Sequence, residues 1–266
     1  MKCLSIDLDG TLLNSKHELS AGNLEAIKEL KEKGYYLILN TGRAYKDVIK
    51  YDAVKQLNVP IFCINGSVLY NAAGEIMYEA SLSIDEYKKL FATLKGFDVR
   101  ILVYTNHGGF PSTLPPLHDM DEGELDRFFK AYNYDEILEQ ENLTIYKLIA
   151  LVRNEQVELI DEVKKALSEN TAISMASSFP NNVEITSSEA HKGKAILRYQ
   201  DMMNLQFEEI YAFGDGGNDL AQFEVATKSV AMANAPISIQ EKADLITKTN
   251  DEDGFAYSVR HQLHLI

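Results

Sequence analysis

Four short stretches hold residue types whose spacing could do chemistry. The first is Asp7-Leu8-Asp9-Gly10-Thr11-Leu12, which directly follows the apolar run CLSI. Side chains two apart on an extended segment share a face, so Asp7 and Asp9 are presented together. Two such carboxylates can bind one cation and divide a reaction, one attacking while the other moves protons. Gly10 lets the chain turn sharply and brings backbone amides toward a phosphate. An Asp-Gly turn after a strand is also common as plain structure, so this stretch gains meaning from its company.

That company comes from three other places. Gly214-Asp215-Gly216-Gly217-Asn218-Asp219 also follows an apolar run, IYAF. Paired acids in a glycine-rich loop suit a hard cation that takes oxygen ligands; an acidic turn, or amides cradling a phosphate, are the competing readings. Thr41-Gly42-Arg43 follows YLIL and precedes a helical stretch, and a hydroxyl with amides at a helix N-terminus forms an anion site. Lys192, in HKGKA, opens another helix. A lone lysine is ordinarily a solvated charge, and this one counts only beside the other three stretches.

The elements that must position these residues read as strand–helix alternation. CLSIDL is a strand ending at a turn; Ser20 can cap a helix bearing Leu24, Ile27 and Leu30, and Gly34 is placed to end it. Tyr35 to Leu39 is the next strand, followed by TGR and a helix through about residue 57. IFCI is a strand after Pro60, and NAAG is a hairpin turn between VLY and EIMYE. Such alternation predicts a mostly parallel sheet, and in a doubly wound sheet ligands bind at the carboxyl ends of the strands. From about residue 83 the texture changes. A capping box, Ser83 with Glu86, starts a helix with Tyr87, Leu90, Phe91 and Leu94 on one face. VRILVY, the loop His107–Pro116, an acidic helix near 121–131, TIYKLIALV, a helix near 155–168, AISMAS and NVEIT complete a separate α+β module. Alternation resumes from Lys192 with helix 192–203, EIYAF, a helix after Gly217, SVAMA and DLIT.

Bulk properties narrow the classes of partner. With 266 residues, 45% hydrophobic and 25% charged, the chain can bury one or two cores. A net charge of −14, from 26 basic and 40 acidic residues, argues against attraction to nucleic acid or anionic membrane. A small phosphate ligand remains compatible, since a cation and a local lysine can reverse the field in a pocket. Cys3 and Cys63 sit in apolar runs without a CxxC and read as buried thiols. With no apolar leader or long apolar run, a cytoplasmic location is expected. Oligomeric state leaves no mark in the sequence.

DLDGTLL, LNTGR, Lys192-Gly193 and GDGGND, in this order, resemble the four signature motifs of the haloacid dehalogenase-like superfamily. Asn65-Gly66, the EIT before Lys192, AMANA, Ala243-Asp244 and Asp253-Gly254 are similar to the Cof-type, sugar-phosphatase-like branch. The match covers residues 1–80 and 185–266, and the interior matches mainly in length and position. Three departures stand out. Asn65-Gly66-Ser67 replaces the usual NGA, MANA replaces MGNA, and Asn40 is polar where an apolar or small residue is common.

The resemblance implies an α/β fold with a Rossmann-like parallel sheet core, residues 1–82 and 188–266, and an inserted α+β cap domain, 83–187. It implies an Mg²⁺-dependent phosphatase acting on small phosphorylated metabolites, sugar phosphates foremost. Asp7 would be the nucleophile, forming an aspartyl-phosphate, and Asp9 the proton donor and acceptor, its pKa raised by neighbouring carboxylates. Mg²⁺ would be held by Asp7, the backbone carbonyl of Asp9, and Asp215, with Asp219 holding bound water or orienting Lys192. Thr41, Gly42, Lys192 and Asn218 would bind the phosphoryl group. The cap would exclude water and select the substrate, with His107–Pro116 and Ser178–Asn182 as candidate contacts. A phosphomutase or other transferase using the same nucleophile, and a noncatalytic metal- or phosphate-binding protein, are the alternatives. A nucleotide-binding oxidoreductase is disfavoured by the missing GxGxxG after the first strand.

Overall fold

Apolar runs of five or six residues, each ended by a turn, place most of the strands, and the computed structural model describes residues 1–111 and 120–266. The chain divides into two compact units, Met1–Glu79 with Ala190–Ile266, and Ala80–Glu189.

The first unit begins with β1 (Lys2–Ile6), α1 (Ala21–Glu32), β2 (Tyr36–Asn40), α2 (Tyr45–Val48), α3 (Asp52–Lys55), β3 (Ile61–Cys63), β4 (Val68–Tyr70) and β5 (Ile76–Glu79). Ser20 caps α1 by accepting a hydrogen bond from the Asn23 amide, and Gly34 follows with φ +81°, the left-handed conformation that ends helices at little cost in glycine. The buried stripe of α1 is Asn23, Ala26, Ile27 and Leu30. Asn23 is there because its side chain donates to Leu12 O at 3.0 Å and accepts from the Ala256 amide at 3.1 Å. The single helix expected after TGR is instead α2 and α3, broken where Tyr51 takes an extended conformation. At the NAAG turn, the Asn71 side chain accepts from the amides of Ala73 and Glu75 and closes the hairpin of β4 and β5.

The second unit contains α4 (Ile84–Leu94), β6 (Arg100–Thr105), β7 (Gly108–Phe110), α5 (Glu122–Ala131), α6 (Asp135–Leu138), β8 (Ile145–Leu151), α7 (Leu159–Leu167), β9 (Ile173–Ala176) and β10 (Asn182–Ser187). Its sheet runs β7-β6-β8-β10-β9 and is antiparallel throughout. Both bonds of the Ser83–Glu86 capping box form. Tyr87, Leu90 and Leu94 of α4 and Ile160, Val163 and Leu167 of α7 pack on Leu148, Ala150, Val183 and Ile185 of the sheet. This unit therefore owns a hydrophobic core, the requirement for a compact module.

The chain then returns to the first unit with α8 (Lys192–Met202), β11 (Glu209–Gly214), α9 (Leu220–Phe223), β12 (Lys228–Ala231), α10 (Ile237–Gln240), β13 (Leu245–Ile246) and α11 (Gly254–Tyr257). Eight strands lie in the order β13-β12-β11-β1-β2-β3-β4-β5, with only β4 and β5 antiparallel to their neighbours. Cys3, Leu4, Ile6, Ile38, Leu39 and Phe213 are buried in this sheet, as expected when helices cover both faces. Cys3 and Cys63 are buried and unbridged. No helix among the described residues is long and apolar enough to cross a membrane.

Candidate active site

Register brings the four stretches together. In the parallel sheet Ile6 of β1 lies opposite Phe213 of β11 on one side and Leu39 of β2 on the other. The residues that follow, Asp7, Asn40-Thr41 and Gly214-Asp215, therefore emerge side by side at the carboxyl ends of three adjacent strands. The Asp7 amide continues the ladder to Phe213 O at 3.1 Å. Gly10, at φ +72°, lets the loop after β1 fold against Asp215, where a Cβ would stand 2.1 Å from Asp215 Oδ2. Thr11 Oγ1 donates to Asp215 Oδ1 at 3.1 Å.

Lys192 is completely buried and reaches Asp7 and Asp219 together, its Nζ donating to one Oδ1 of each at 2.6 Å. It occupies the first position of α8, whose N-cap His191 accepts from the Lys194 amide through Nδ1 at 3.1 Å. The reading of Lys192 as a solvated charge is thereby set aside. Burial disfavours its ammonium, but Asp219 and Asp7 outweigh that effect and hold its pKa above the ordinary lysine value.

Asp219 accepts four hydrogen bonds. Oδ2 takes the amides of Asp215 and Gly216 at 3.0 and 2.9 Å, and Oδ1 takes Lys192 Nζ and Gln222 Nε2 at 2.6 and 2.8 Å. It is a fixed anchor for the loop. Gly214 is required beneath it, since a Cβ would lie 2.2 Å from Asp219 Cγ. Asp7 Oδ2, by contrast, has no hydrogen-bond partner among the described residues.

Ligand oxygens of Asp7, Asp215 and Asp219 lie within 4.8 Å of one another. Burial, opposed by Lys192 but reinforced by Asp219 and Asp215, holds the Asp7 carboxyl well above the usual carboxylate range. Burial together with the charge of Asp219 pushes Asp215 up to about 7. Three clustered carboxylates against one ammonium leave an excess of negative charge that one divalent cation would neutralise. All-oxygen donors suit Mg²⁺, so the residues present fit the ion.

Asp9 stands apart from this cluster. Arg43 Nε and Nη2 donate to its Oδ2 and Oδ1 at 2.6 and 2.5 Å, and His17 Nδ1 lies 3.2 Å from Oδ1. Its direct partner is thus a guanidinium rather than the neighbouring carboxylates expected to act on it. Arg43 also donates to the Tyr51 hydroxyl at 2.7 Å. Sequence reasoning quoted Arg43 within TGR but gave it no role; an acid–guanidinium pair 34 residues apart leaves no local spacing signal.

Thr41 is buried, its Oγ1 accepting from the Arg43 amide at 3.2 Å. Gly42 faces Asn65, where a Cβ would stand 3.1 Å from Asn65 Oδ1. Asn218 Nδ2 donates to that same oxygen at 3.1 Å. Asn65 was read only as part of a resemblance, yet it joins the TGR and GDGGND loops. Ile64 and Asn65 both adopt positive φ, 53° and 56°, a costly conformation for a β-branched residue and one that gathers at functional sites. Asn234, within AMANA, donates to Gly10 O at 2.8 Å and was also missed.

Two expected contact segments lie in the other unit. Ser178 Oγ donates to Glu184 Oε1 at 2.7 Å, and Asn182 Oδ1 accepts from the Phe179 amide, so the turn holds itself. Of the loop 107–116, His107 pairs with Glu141 O at 2.8 Å, while residues 112–116 lie outside the described residues.

A parallel sheet that gathers three carboxylates around a buried lysine at its strand ends is a site suited to a cation and an anionic ligand. Comparison with known proteins places it further. Residues 4–259 match the haloacid dehalogenase-like hydrolase family, and the chain belongs to that family, in its Cof-type branch. A 5-amino-6-(5-phospho-D-ribitylamino)uracil phosphatase of Bacillus subtilis is 31% identical, covering 97% of each chain. A pyridoxal phosphate phosphatase of Escherichia coli is 26% identical, covering 98% of each. A haloacid dehalogenase-like hydrolase from B. subtilis superposes with a TM-score of 0.85 at 28% identity, over 98% of this chain and 99% of that one. The chain is an enzyme, a phosphoric monoester hydrolase of the haloacid dehalogenase type.

Proposed function

We propose that the enzyme is an Mg²⁺-dependent phosphatase that hydrolyses small phosphorylated metabolites, sugar phosphates foremost, through an aspartyl-phosphate on Asp7. The observation that carries this reading is Lys192 Nζ, fully buried and 2.6 Å from both Asp7 and Asp219. It leaves Asp7 Oδ2 as the oxygen able to attack phosphorus. Mg²⁺ would be held by Asp7, the Asp9 backbone carbonyl and Asp215, with Asp219 anchoring the loop that carries Asp215. When bound, it would offset the repulsion between the anionic nucleophile and the anionic substrate.

Phosphoryl transfer asks mainly for in-line positioning and charge compensation on the equatorial oxygens. Thr41 Oγ1, the Gly42 amide, Lys192 Nζ and Asn218 are assigned to those oxygens. Asp7 forms a P–O bond as the ester P–O bond breaks, and Asp9 delivers a proton to the departing alcohol. Water then attacks the phosphorus of the intermediate, Asp9 takes its proton, and phosphate leaves. Asp9 must exchange at least one of its bonds to Arg43 for the leaving oxygen, since both its oxygens are held. Choice among substrates is assigned to the inserted unit as the cap domain. The relatives' named substrates, a phosphoribitylaminouracil and pyridoxal phosphate, are small phosphate monoesters and support that class.

Purified enzyme should release inorganic phosphate from members of a panel of sugar phosphates, nucleotides and pyridoxal phosphate. EDTA should abolish release, and Asp7→Asn should lower it at least about 10³-fold. Undiminished turnover by Asp7→Asn would remove the nucleophile from its role. Transfer of phosphate to an added alcohol in place of water would favour the phosphotransferase reading instead.

A further inference from the structure

Next to the acid cluster three uncharged polar side chains are sealed from solvent: Ser5 of β1, Asn40 of β2 and Gln222 of α9, all with zero exposure. We propose that Gln222 and Asn40 are positioning residues for phosphoryl transfer, forming with Ser5 a bracket that fixes Lys192 and Asp219 in place. This rests on the phosphatase reading above.

The bracket is closed on itself. Ser5 Oγ donates to Gln222 Oε1 at 2.7 Å, and Asn40 Nδ2 lies 3.2 Å from Ser5 Oγ and 3.4 Å from Gln222 Oε1. It grips both partners of the buried ammonium contact. Asn40 Nδ2 donates to the backbone carbonyl of Lys192 at 3.0 Å, fixing the start of α8. Gln222 Nε2 donates to Asp219 Oδ1 at 2.8 Å and to Phe213 O at 3.1 Å, tying the acid to the end of β11. Asp219 Oδ1 is therefore shared between Gln222 and Lys192, so the carboxylate cannot follow the ammonium elsewhere. Lys192 Nζ is thereby held between Asp219 and Asp7.

Asn40 Oδ1 is buried with no hydrogen-bond partner among the described residues. Turning the amide over would set that oxygen against the Lys192 carbonyl and Gln222 Oε1, both acceptors, so the orientation is dictated by the network. A stranded buried acceptor disfavours the folded state, and an apolar side chain would remove the loss. An asparagine that leaves one acceptor stranded while its amide holds the backbone of the phosphate-site lysine fits a role in turnover.

The test uses the full-length enzyme with Mg²⁺ and p-nitrophenyl phosphate, measuring kcat, KM and Tm. Gln222→Met conserves volume and removes both donated bonds; Asn40→Ala removes the hold on Lys192 and the stranded oxygen together. Each is expected to lower kcat about 10–100-fold with KM changed less than about 3-fold, and each to lower Tm because buried partners are left unpaired. The kcat loss should persist at temperatures well below each variant's own Tm, where the protein is folded. Folded variants with wild-type kcat, or kcat losses that vanish well below Tm, would overturn the proposal. A wild-type enzyme that releases no phosphate would instead overturn the phosphatase reading beneath it, and this proposal with it.

Discussion

Asp215 shows how one side chain can tie cation binding to pH. In the unfolded chain its carboxyl titrates near 3.8, and in the folded chain burial and the charge of Asp219 push it up to about 7. A folded pKa raised this way means stability present below 3.8 is lost as pH rises through about 7. Asp215→Asn should accordingly stabilise the cation-free enzyme more at pH 8 than at pH 4, by about 1–3 kcal/mol, measured as the difference in denaturant midpoints. An equal effect at both pH values would contradict the assignment. Mg²⁺ should erase the difference in the parent enzyme, and its affinity should fall as pH drops below about 7 because a proton competes for the same oxygen. Asp7 and Asp215 stood out as acids just after apolar runs, whereas Lys192 and Asp219 gained weight only from the motifs they complete. Arg43, Asn65, Asn234 and Gln222 were not legible, because each works through a partner distant in sequence and only register reveals the pairing.

At the scale of elements, α8 is the most exacting. Gly193 lies so close to α9 that an added Cβ would stand 2.1 Å from Ala221 O and 3.3 Å from Val225 Cγ1. Backbone cannot yield as a side chain does, so Gly193→Ala should cost about 1–3 kcal/mol. It should also lower turnover by pushing the first turn, and Lys192 with it, away from Asp7. A calorimetric scan beside an activity assay checks both; unchanged Tm and kcat would show that the two helices can part freely. Caps made most elements readable. Ser20 and Ser83 each accept from the amide three residues on, a pattern visible in the sequence itself; Asp121 does the same for α5 but was not read as a cap. Four-residue helices such as α2, α3, α6, α10 and α11 were harder, because one turn holds too little periodicity to separate from a loop, and α2 and α3 were merged for that reason.

For the whole molecule, the alternation of strands and helices, and the change of texture near residue 83, were enough to read a parallel sheet interrupted by an α+β module. Strand order was not legible, since nothing local says that β1 lies between β2 and β11. Every acid in the cation cluster belongs to the unit built from both ends of the chain. Mg²⁺ at about 100 times its Kd should stabilise that unit by about 2.7 kcal/mol. Hydrogen exchange should slow at the amides of β1 and β11, while those of β8 and β10 keep their rates. Equal slowing of both sets would mean that the units unfold as one.

The position of β1 also bears on how the chain is made. Its neighbours are residues 36–40 and 209–214, so a nascent polypeptide leaving the ribosome carries the first strand long before its second partner has been translated. At about 5–20 residues per second the wait is roughly 10–40 s. Throughout it one flank of an apolar strand has no ladder to join, the condition under which growing chains clump. The contiguous segment Ala80–Glu189 suffers no such delay and can complete its sheet first. Asp7 thus stands without Lys192 and Asp215 until the later part of the chain has been made.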